Sequence, residues 1–439
     1  MVSHLVFYQL MFLGLLWLCV MLHYAWPNAC TGGDQRPSQP LPPPPITSGR
    51  GRPRQVDTSQ PFCPNPDCDY RGWVGWGNLS AHGHPSGGLW RQLYCSQGEG
   101  YCLETCGTPL HGKRVAPEKR VWAVGTLAEG LGLRAVARVF AVDPNTVLAW
   151  LVEVAEHAAA FSQYFLPDVR VTQVQLDELF ALLRAVKTGE VSEAVAIARL
   201  SRSPHWVWAA IDPVTKLLLT IDVGDRTLAM AQSVVHQVAQ VLAPGWVPLF
   251  LTDGFKAYTT ALLTHYGQWV QPARQRAQGP APKPRWLPLP QLLYAPVVKT
   301  VRRRRLAQGH HRVVFGTLEA VHAVLAPLGC QIQTAFIERL NLSMRQHVAA
   351  VGRRVTTLCK GEDGLRQQRV LYHAYDNFCL PHVSIRQPLS HPEPTHGTGS
   401  ARQWRPCTPA MAAGLTDHVW TLREVVLFRV PPWPQPAGV

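Results

Sequence analysis

Beyond Val169 the chain alternates between two kinds of apolar pattern. Short runs such as QVQLDELF and VPLFLT are rich in strand-forming residues, and they alternate with amphipathic stretches such as AMAQSVVHQVAQVL, whose spacing is helical. This alternation predicts an α/β domain with a mixed sheet and the largest core of the chain. A basic, proline-containing stretch at 271–292 interrupts the pattern and is expected to be an insertion loop.

Two aspartates fall in the strand-like runs. Asp177 lies within QVQLDELF, and Asp253 ends VPLFLTD just before Gly254. A carboxylate in the core of a sheet is costly to bury unless it meets a metal ion or a cationic side chain. Both aspartates are therefore candidate site residues, although Asp253 could instead be the N-cap of the helix that follows it.

The segment AFIERLNLSMRQH, residues 335 to 347, has helical spacing in both its apolar and its polar residues. The apolar stripe consists of Ile337, Leu340 and Met344. The polar face consists of Glu338, Asn341 and Arg345. Such a face is either solvated or part of a site.

The order of the three acids decides between these alternatives. An Asp within a strand, an Asp at a strand end and a Glu on a helix are what a ribonuclease-H-like sheet needs to bring three carboxylates to one edge. The carboxylates would repel one another, and divalent cations such as Mg²⁺ or Mn²⁺ would relieve that repulsion. Two such ions about 3.5–4 Å apart support in-line phosphoryl transfer. The sequence therefore predicts a ribonuclease-H-like catalytic core, a mixed sheet with flanking helices, at 168–386.

Three motifs resemble those of the DDE transposases of bacterial insertion sequences, most closely the IS-one-like group. They are the DE of QLDELFALL, the TDG and Tyr of LTDGFKAY, and the segment AFIERLNLSMRQHVAAVGRR. The resemblance spans roughly residues 60 to 385. It implies a catalytic, metal-binding triad of Asp177, Asp253 and Glu338. It also implies that Asn341, Arg345 and His347 position the DNA.

Residues 59–112 are rich in Cys, Gly, Trp and His, and predict a zinc-ribbon-like module. The candidate ligands are Cys63, Cys68, Cys95 and Cys102. Four thiolates would hold a structural Zn²⁺ and stabilise so small a module. Gly98 occupies the position expected for the fourth ligand, so either Cys102 or Cys106 replaces it, or the module is a metal-free remnant.

Residues 113–161 have the pattern of a helix-turn-helix DNA-binding domain. A first helix ends at Gly130, a short second helix follows over 134–140, and Asp143 and Pro144 open a third as N-cap and first residue. The candidate DNA-contacting residues are Arg134, Asn145 and Thr146. The alternative is a three-helix scaffold that does not touch DNA.

The charge of the chain fits a polyanionic partner. The formal net charge is +14, which suits double-stranded DNA or an anionic membrane surface. Within the basic run KTVRRRRLAQGHHR, Arg302 and Arg303 are candidate phosphate contacts, although such a run is often only solvated. Asp212 and Asp222 are interpreted as hairpin-turn residues and are not included in the site.

The two ends of the chain have distinct compositions. Residues 5–26 carry no Asp, Glu, Lys or Arg, and are long enough to span a bilayer; the alternative is a mis-assigned start codon or a translated upstream extension. A Pro-rich linker over 27–58 and a weakly structured Pro-rich tail over 387–439 are expected. The scattered cysteines indicate a cytoplasmic main body, and DNA binding would make it nucleoid-associated. Residues 1–26 are interpreted as a membrane anchor that tethers it to the inner face of the membrane.

Together these patterns predict a transposase. Such an enzyme would bind the terminal inverted repeats of an insertion sequence and target DNA, and would act as a homo-oligomer because two DNA ends must be joined. The alternative function is a catalytically inactive or domesticated copy that acts as a DNA-binding repressor.

Overall fold

The computed structural model describes residues 61–181, 205–274, 282–302, 305–351, 362–394 and 399–435. The chain divides into two compact units. One unit contains the chain up to Glu104 together with the residues from Pro431, and the other is Thr105–Val430. The hydrophobic segment at 1–26 and the linker at 27–58 lie outside the described residues.

The first unit is built on a small antiparallel sheet. Its strands are β1 (Leu79–Gly83), β2 (Gln92–Cys95) and β3 (Gly100–Leu103), in that spatial order. Residues near the end of the chain complete the unit, because Trp433 packs against the buried Trp73 and the Gln435 side chain binds the backbone at Gly72 and Val74. The C-terminal residues are therefore part of the fold of this unit.

The second unit opens with three helices at the positions predicted for the helix-turn-helix. They are α1 (Pro117–Ala128), α2 (Leu133–Val139) and α3 (Pro144–Phe165). Asp143 caps α3 by accepting a hydrogen bond from the Asn145 backbone N–H, and Pro144 is the first helical residue, as expected. The bend between α2 and α3 is 114°, within the range of helix-turn-helix motifs.

The core of the second unit is the mixed α/β arrangement that the sequence predicts. Its strands and helices in chain order are β4 (Gln173–Phe180), β5 (Trp206–Ile211), β6 (Leu218–Gly224), α4 (Leu228–Val241), β7 (Leu249–Thr252), α5 (Ala257–His265), β8 (Gly267–Val270), β9 (Arg285–Pro288), β10 (Leu293–Arg302), β11 (Arg305–His311), α6 (Leu318–Leu325), α7 (Ala335–His347) and α8 (Glu362–Ala374). Six of the strands form one sheet in the order β11-β10-β7-β4-β5-β6. Strand β7 is parallel to both β4 and β10, and the remaining pairs are antiparallel. This sheet with flanking helices is compatible with a ribonuclease-H-like core.

Apolar layers cover both faces of the sheet. On one face Leu176 and Trp208 pack with residues of α4 and α5 such as Val234 and Tyr258. The stripe of α7 packs on the other face, where Ile337, Leu340 and Met344 are buried with strand residues and with α8. Strands β8 and β9 form a separate hairpin. Because β9 lies within 271–292, the prediction that this whole stretch is a loop was wrong for that part, and residues 275–281 lie outside the described residues.

The prediction of a weakly structured tail was wrong for a large part of 387–439. The segment contains β12 (Gln387–Glu393), β13 (Arg402–Arg405), α9 (Pro409–Ala412) and α10 (Leu422–Leu427). Buried Trp420 and Val425 pack with Phe161 of α3 and with Phe378. The high proline content concealed these apolar residues and two Thr N-caps, which are enough to order the segment against α3.

A membrane span requires a helix of sufficient length and apolar composition. No single helix among the described residues is both long and apolar enough to cross a bilayer, and the bent pair of α2 and α3 meets the length and composition requirement only when taken together.

Two buried titratable groups at the end of α8 are expected to oppose each other in their effect on stability. Burial lowers the pKa of His373 to about 4 and raises the pKa of Asp376 to about 6. As the pH falls below 6.5, the unfolded chain takes up a proton at His373 that the folded protein does not. The free energy of unfolding therefore decreases as the pH falls. Between pH 6 and 4 the folded protein binds a proton more tightly at Asp376, so stability rises as pH falls.

We therefore expect the His373→Gln variant to change the pH dependence of stability. Relative to wild type, it should gain about 3 kcal/mol of unfolding free energy between pH 6.5 and 4, because only the Asp376 contribution remains. Thermal melting over this pH range would measure the gain, with a substitution of the more exposed His418 to Gln as the control. Parallel pH profiles for wild type and His373→Gln would contradict the expectation.

Candidate active site

The strand register brings Asp177 and Asp253 together. In the parallel pair of β4 and β7, Leu176 lies opposite Thr252, so the next position on each chain is an aspartate. Asp253 also begins the turn into α5, where its Oδ1 accepts a hydrogen bond from the Phe255 backbone N–H at 3.1 Å. The alternative that Asp253 is only the N-cap of this helix was wrong, because the N-cap of α5 is Lys256 and the Asp253 carboxylate bonds within the preceding turn.

A third carboxylate joins these two, and it is Glu178. Asp177, Glu178 and Asp253 each offer an oxygen that lies within 4.8 Å of those of the other two. Sequence reasoning did not select Glu178, although it stands next to Asp177 in QLDELF. Strand alternation would place its side chain on the opposite face.

Glu178 is buried, with only 8% of its surface exposed. Burial, reinforced by the nearby Asp253 charge and partly offset by Arg226, raises the pKa of Glu178 to about 8. One oxygen, Oε2, accepts weak hydrogen bonds from Arg226 at 3.3 and 3.4 Å. The other, Oε1, is buried and has no hydrogen-bond partner among the described residues.

Arg226 stands beside two of the three acids. Its Nη2 lies 3.3 Å from Glu178 Oε2 and 3.7 Å from Asp253 Oδ2. The guanidinium lies 4.2 Å from the ring centre of Phe255 and 5.2 Å from that of Trp206. These contacts place a fixed positive charge at the site, which sequence reasoning also missed because it depends on a loop far along the chain.

Helix α7 reaches the site through Asn341. Its Nδ2 donates a 2.8 Å hydrogen bond to Asp177 Oδ2, and the Ile337 backbone N–H donates to Gln175 Oε1 at 3.0 Å. Glu338 lies on the same helix, exposed, and accepts a hydrogen bond from Thr334 Oγ1 at 3.0 Å. Glu338 is not part of the group of three carboxylates, even though it lies only one helical turn from Asn341.

The other residues expected to position DNA lie further along α7. Arg345 is half-buried. His347 is at the last position of the helix, where its Nδ1 lies 3.6 Å from Glu129 Oε2 and its ring stacks on Tyr372. The structure thus places His347 against α1 and α8.

The remaining DNA-contact candidates are distributed over other elements. Arg134 and Asn145 are exposed, and Thr146 is half-buried at the start of α3. An open depression of about 410 Å³ beside them is lined by Arg134, Arg138 and Asp143, among others. Arg302 ends β10, and Arg303 lies outside the described residues.

The two aspartates assigned to hairpin turns have different positions. Asp212 is in a turn, where its carboxylate binds the backbone N–H groups of Val214 and Thr215, as predicted. The interpretation of Asp222 was wrong, because this residue lies within β6 and pairs with Arg366 and Arg369. Its two arginine partners come from α8, so only tertiary structure explains why an acid is tolerated there.

Three of the four predicted zinc ligands meet in the first unit. Cys63, Cys68 and Cys95 are buried with their sulfurs within 4.8 Å of one another. The Cys68 and Cys95 sulfurs are 3.8 Å apart, close to the ~3.8 Å between two thiolates bound at 2.3 Å to a tetrahedral zinc. Among the described residues the group therefore offers three of the four ligands that a tetrahedral zinc takes.

The environment of these thiols varies. Burial raises the pKa of Cys63 to about 12. Burial also acts to raise the pKa of Cys95, but hydrogen bonds to its sulfur, including those from Gly98 N–H and Asn78 Nδ2, outweigh it and lower the pKa. Gly98 thus contacts the site through its backbone. Cys102 is on β3 opposite Leu93, and Cys106 belongs to the second unit.

Comparisons with known proteins give little further information. No protein-family model matches the chain, and no curated protein matches it. Among solved structures, the Mos1 strand transfer complex is 14% identical with a TM-score of 0.13, covering 34% of this chain and 55% of that one. A pre-cleavage Mos1 transpososome is 12% identical with a TM-score of 0.14, covering 35% and 59%. The chain thus spans less than two thirds of either structure, and TM-scores this low do not establish a shared fold.

Proposed function

We propose that the protein is a metal-dependent DNA transposase of the DDE type, related to the IS-one-like insertion sequences. The observation that carries this proposal is the pairing of Asp177 with Asp253 on adjacent parallel strands, with helix α7 bonded to Asp177 through Asn341. Acids placed together in this way repel one another unless cations are present. Asp177 lies on one central strand of the sheet and Asp253 directly follows the other, and metal ions bound between the two carboxylates would act on a phosphate group.

Asp177 and Asp253 would bind Mg²⁺ or Mn²⁺, and Glu338 would supply a further carboxylate from α7. When bound, such ions activate an attacking hydroxyl and stabilise the leaving oxygen of a phosphodiester. Asn341 fixes the orientation of the Asp177 carboxylate because its Nδ2 donates a hydrogen bond to Oδ2 of Asp177. Positions 338 and 341 are one turn apart on the helix, so the same surface that holds Asp177 also presents Glu338.

The charge distribution supports DNA as the substrate. Residues 254–318 contain eleven Lys and Arg and no Asp or Glu. Strand β10 runs parallel to β7, with Pro296 opposite Thr252, so the rest of β10 and β11 extend beyond Asp253 at the same end of the sheet. A cationic segment beside the carboxylates would hold the phosphates of a duplex near them.

The helices α1–α3 would bind the terminal inverted repeats, with Arg134, Asn145 and Thr146 at the DNA. The reaction would free 3′-hydroxyl ends and join them to target DNA. Two ends must meet for this step, so the working form would be a homo-oligomer, in the cytoplasm and associated with the nucleoid.

The proposal is tested with full-length protein and labelled duplexes from the DNA that flanks the gene. Nicking at a defined flanking position that requires Mg²⁺ or Mn²⁺ and stops when EDTA is added would support the transposase. Specific binding without nicking under any metal condition would overturn it and favour a DNA-binding repressor.

We also propose that the cysteine group of the first unit binds structural zinc. Purified full-length protein should carry about one equivalent of zinc by atomic emission, and Cys68→Ser should lose it because three thiols form the group. Cys330→Ser, at a half-buried cysteine of the second unit, is the matched control and should retain the metal. Less than about a tenth of an equivalent in wild type would exclude a structural site.

A further inference from the structure

We infer that Glu178 is an additional metal-binding carboxylate of this site, and that Arg226 is the positioning residue that holds it in place. The inference rests on the metal-dependent function proposed above and adds a ligand beyond Asp177, Asp253 and Glu338.

The first argument is distance. Two oxygens bound to one Mg²⁺ at about 2.1 Å are at most ~4.2 Å apart. The oxygens of Asp177, Glu178 and Asp253 already lie within 4.8 Å of one another, so small side-chain rotations would bring all three onto one ion. Glu338 lies outside this group. On geometry Glu178 is therefore better placed than Glu338 to share an ion with the two aspartates.

The second argument is the unpartnered oxygen of Glu178. Its side chain is only 1% exposed, and Oε1 has no hydrogen-bond partner among the described residues. A buried carboxylate oxygen without a partner is unfavourable and would be stabilised by a cation.

The third argument is the position of Arg226. It contacts only Oε2 of Glu178, which leaves Oε1 available to another cation. The rings of Phe255 and Trp206 limit the movement of the guanidinium. Arg226 also lies 3.7 Å from Asp253 and reduces the repulsion between two carboxylates before a metal ion arrives.

A simpler role for Glu178 is that of a structural counter-ion for Arg226 that does not bind metal. The two roles predict different effects of Glu178 on Mn²⁺ affinity. A ligand is needed for affinity whether or not Arg226 is present, whereas a counter-ion matters only through Arg226. A double-mutant cycle on these two residues therefore distinguishes them.

The experiment measures Mn²⁺ affinity of full-length protein by electron paramagnetic resonance of the free ion. We expect Glu178→Gln to weaken binding by at least ~10-fold, as the loss of a metal-supporting group does. A smaller but still measurable loss should remain when Glu178→Gln is added to the Arg226→Gln variant, because Arg226 positions the ligand but does not bind the metal itself. Asp225→Asn, which removes an exposed acid next to Arg226, is the charge-matched control and should leave affinity within about twofold.

Each other outcome is decisive. If Asp177→Asn weakens Mn²⁺ binding but Glu178→Gln does not, the inference is overturned and the proposed function stands. If Glu178→Gln weakens binding only when Arg226 is present, Glu178 is a counter-ion and the inference is again overturned. If neither Asp177→Asn nor Asp253→Asn changes Mn²⁺ affinity, the proposed metal site itself fails.

Discussion

The Asp253→Asn variant is expected to lose metal-dependent nicking by about 10³-fold or more while still binding DNA ends. The carboxylate contributes charge that the amide lacks, and several kcal/mol of transition-state stabilisation correspond to a rate loss of this size. The fold should survive, because an Asn oxygen can still accept the Phe255 backbone N–H bond that Asp253 accepts. Arg226 would lose one partner but keep Glu178.

Single-turnover nicking of an end-labelled duplex measures this loss, and fluorescence anisotropy measures binding to the same duplex. Asp225→Asn is the matched control, since it removes one exposed negative charge near the site without touching the three carboxylates. Nicking by Asp253→Asn at the wild-type position and above the EDTA background would refute the assignment of Asp253. A loss of binding together with nicking would point to misfolding, which a melting curve of the variant would reveal.

The parts of the site that sequence reasoning found are those fixed by local pattern. Asp177 and Asp253 stand in apolar runs whose β character is evident, and the parallel pairing of β4 and β7 then brings them together. Helix α7 has the predicted bounds, 335 to 347, because its apolar stripe has helical period and is buried. These features depend on neighbours within one element or on one strand pairing.

The parts that it missed depend on contacts between distant segments. Glu178 is adjacent to Asp177, so alternation argued against it, and only the assembled sheet end brings its oxygens near Asp253. Arg226 enters from the loop after β6 and has no local signal at all. Asp222 was assigned to a turn because Val223 and Gly224 follow it, and its two stabilising arginines lie on α8, more than 140 positions later.

The sequence also shows no sign of a contact between the end of α1 and α7, the helix that carries Glu338 and Asn341. Gly130 ends α1 with φ +90°, and its N–H donates to the Leu127 carbonyl. A methyl group at this position would lie 2.1 Å from the Gln346 carbonyl oxygen near the end of α7. Next to it, Glu129 accepts a hydrogen bond from the Tyr375 hydroxyl and lies 3.6 Å from His347. The end of the first helix thus rests directly on the helix that carries Glu338 and Asn341.

Gly130→Ala is therefore expected to damage both stability and nicking. The left-handed backbone and the collision with backbone atoms should together cost about 3 kcal/mol of unfolding free energy. The two helices can relieve the collision only by moving apart, and a shift of about 1 Å in catalytic groups costs on the order of 10²-fold in rate. Thermal melting and single-turnover nicking measure the two effects.

Gly132→Ala is the matched control for this variant. Gly132 lies in the same loop, has an ordinary φ of −71°, and an added methyl group there meets no atom within 4 Å. Its melting temperature and nicking rate should stay near those of wild type. If Gly130→Ala behaved like Gly132→Ala, α1 would not rest on α7 in solution, and end binding could not be transmitted to the active site through this contact. If Gly130→Ala alone loses nicking while duplex affinity stays within about threefold, the contact is needed to position α7 and not to bind DNA.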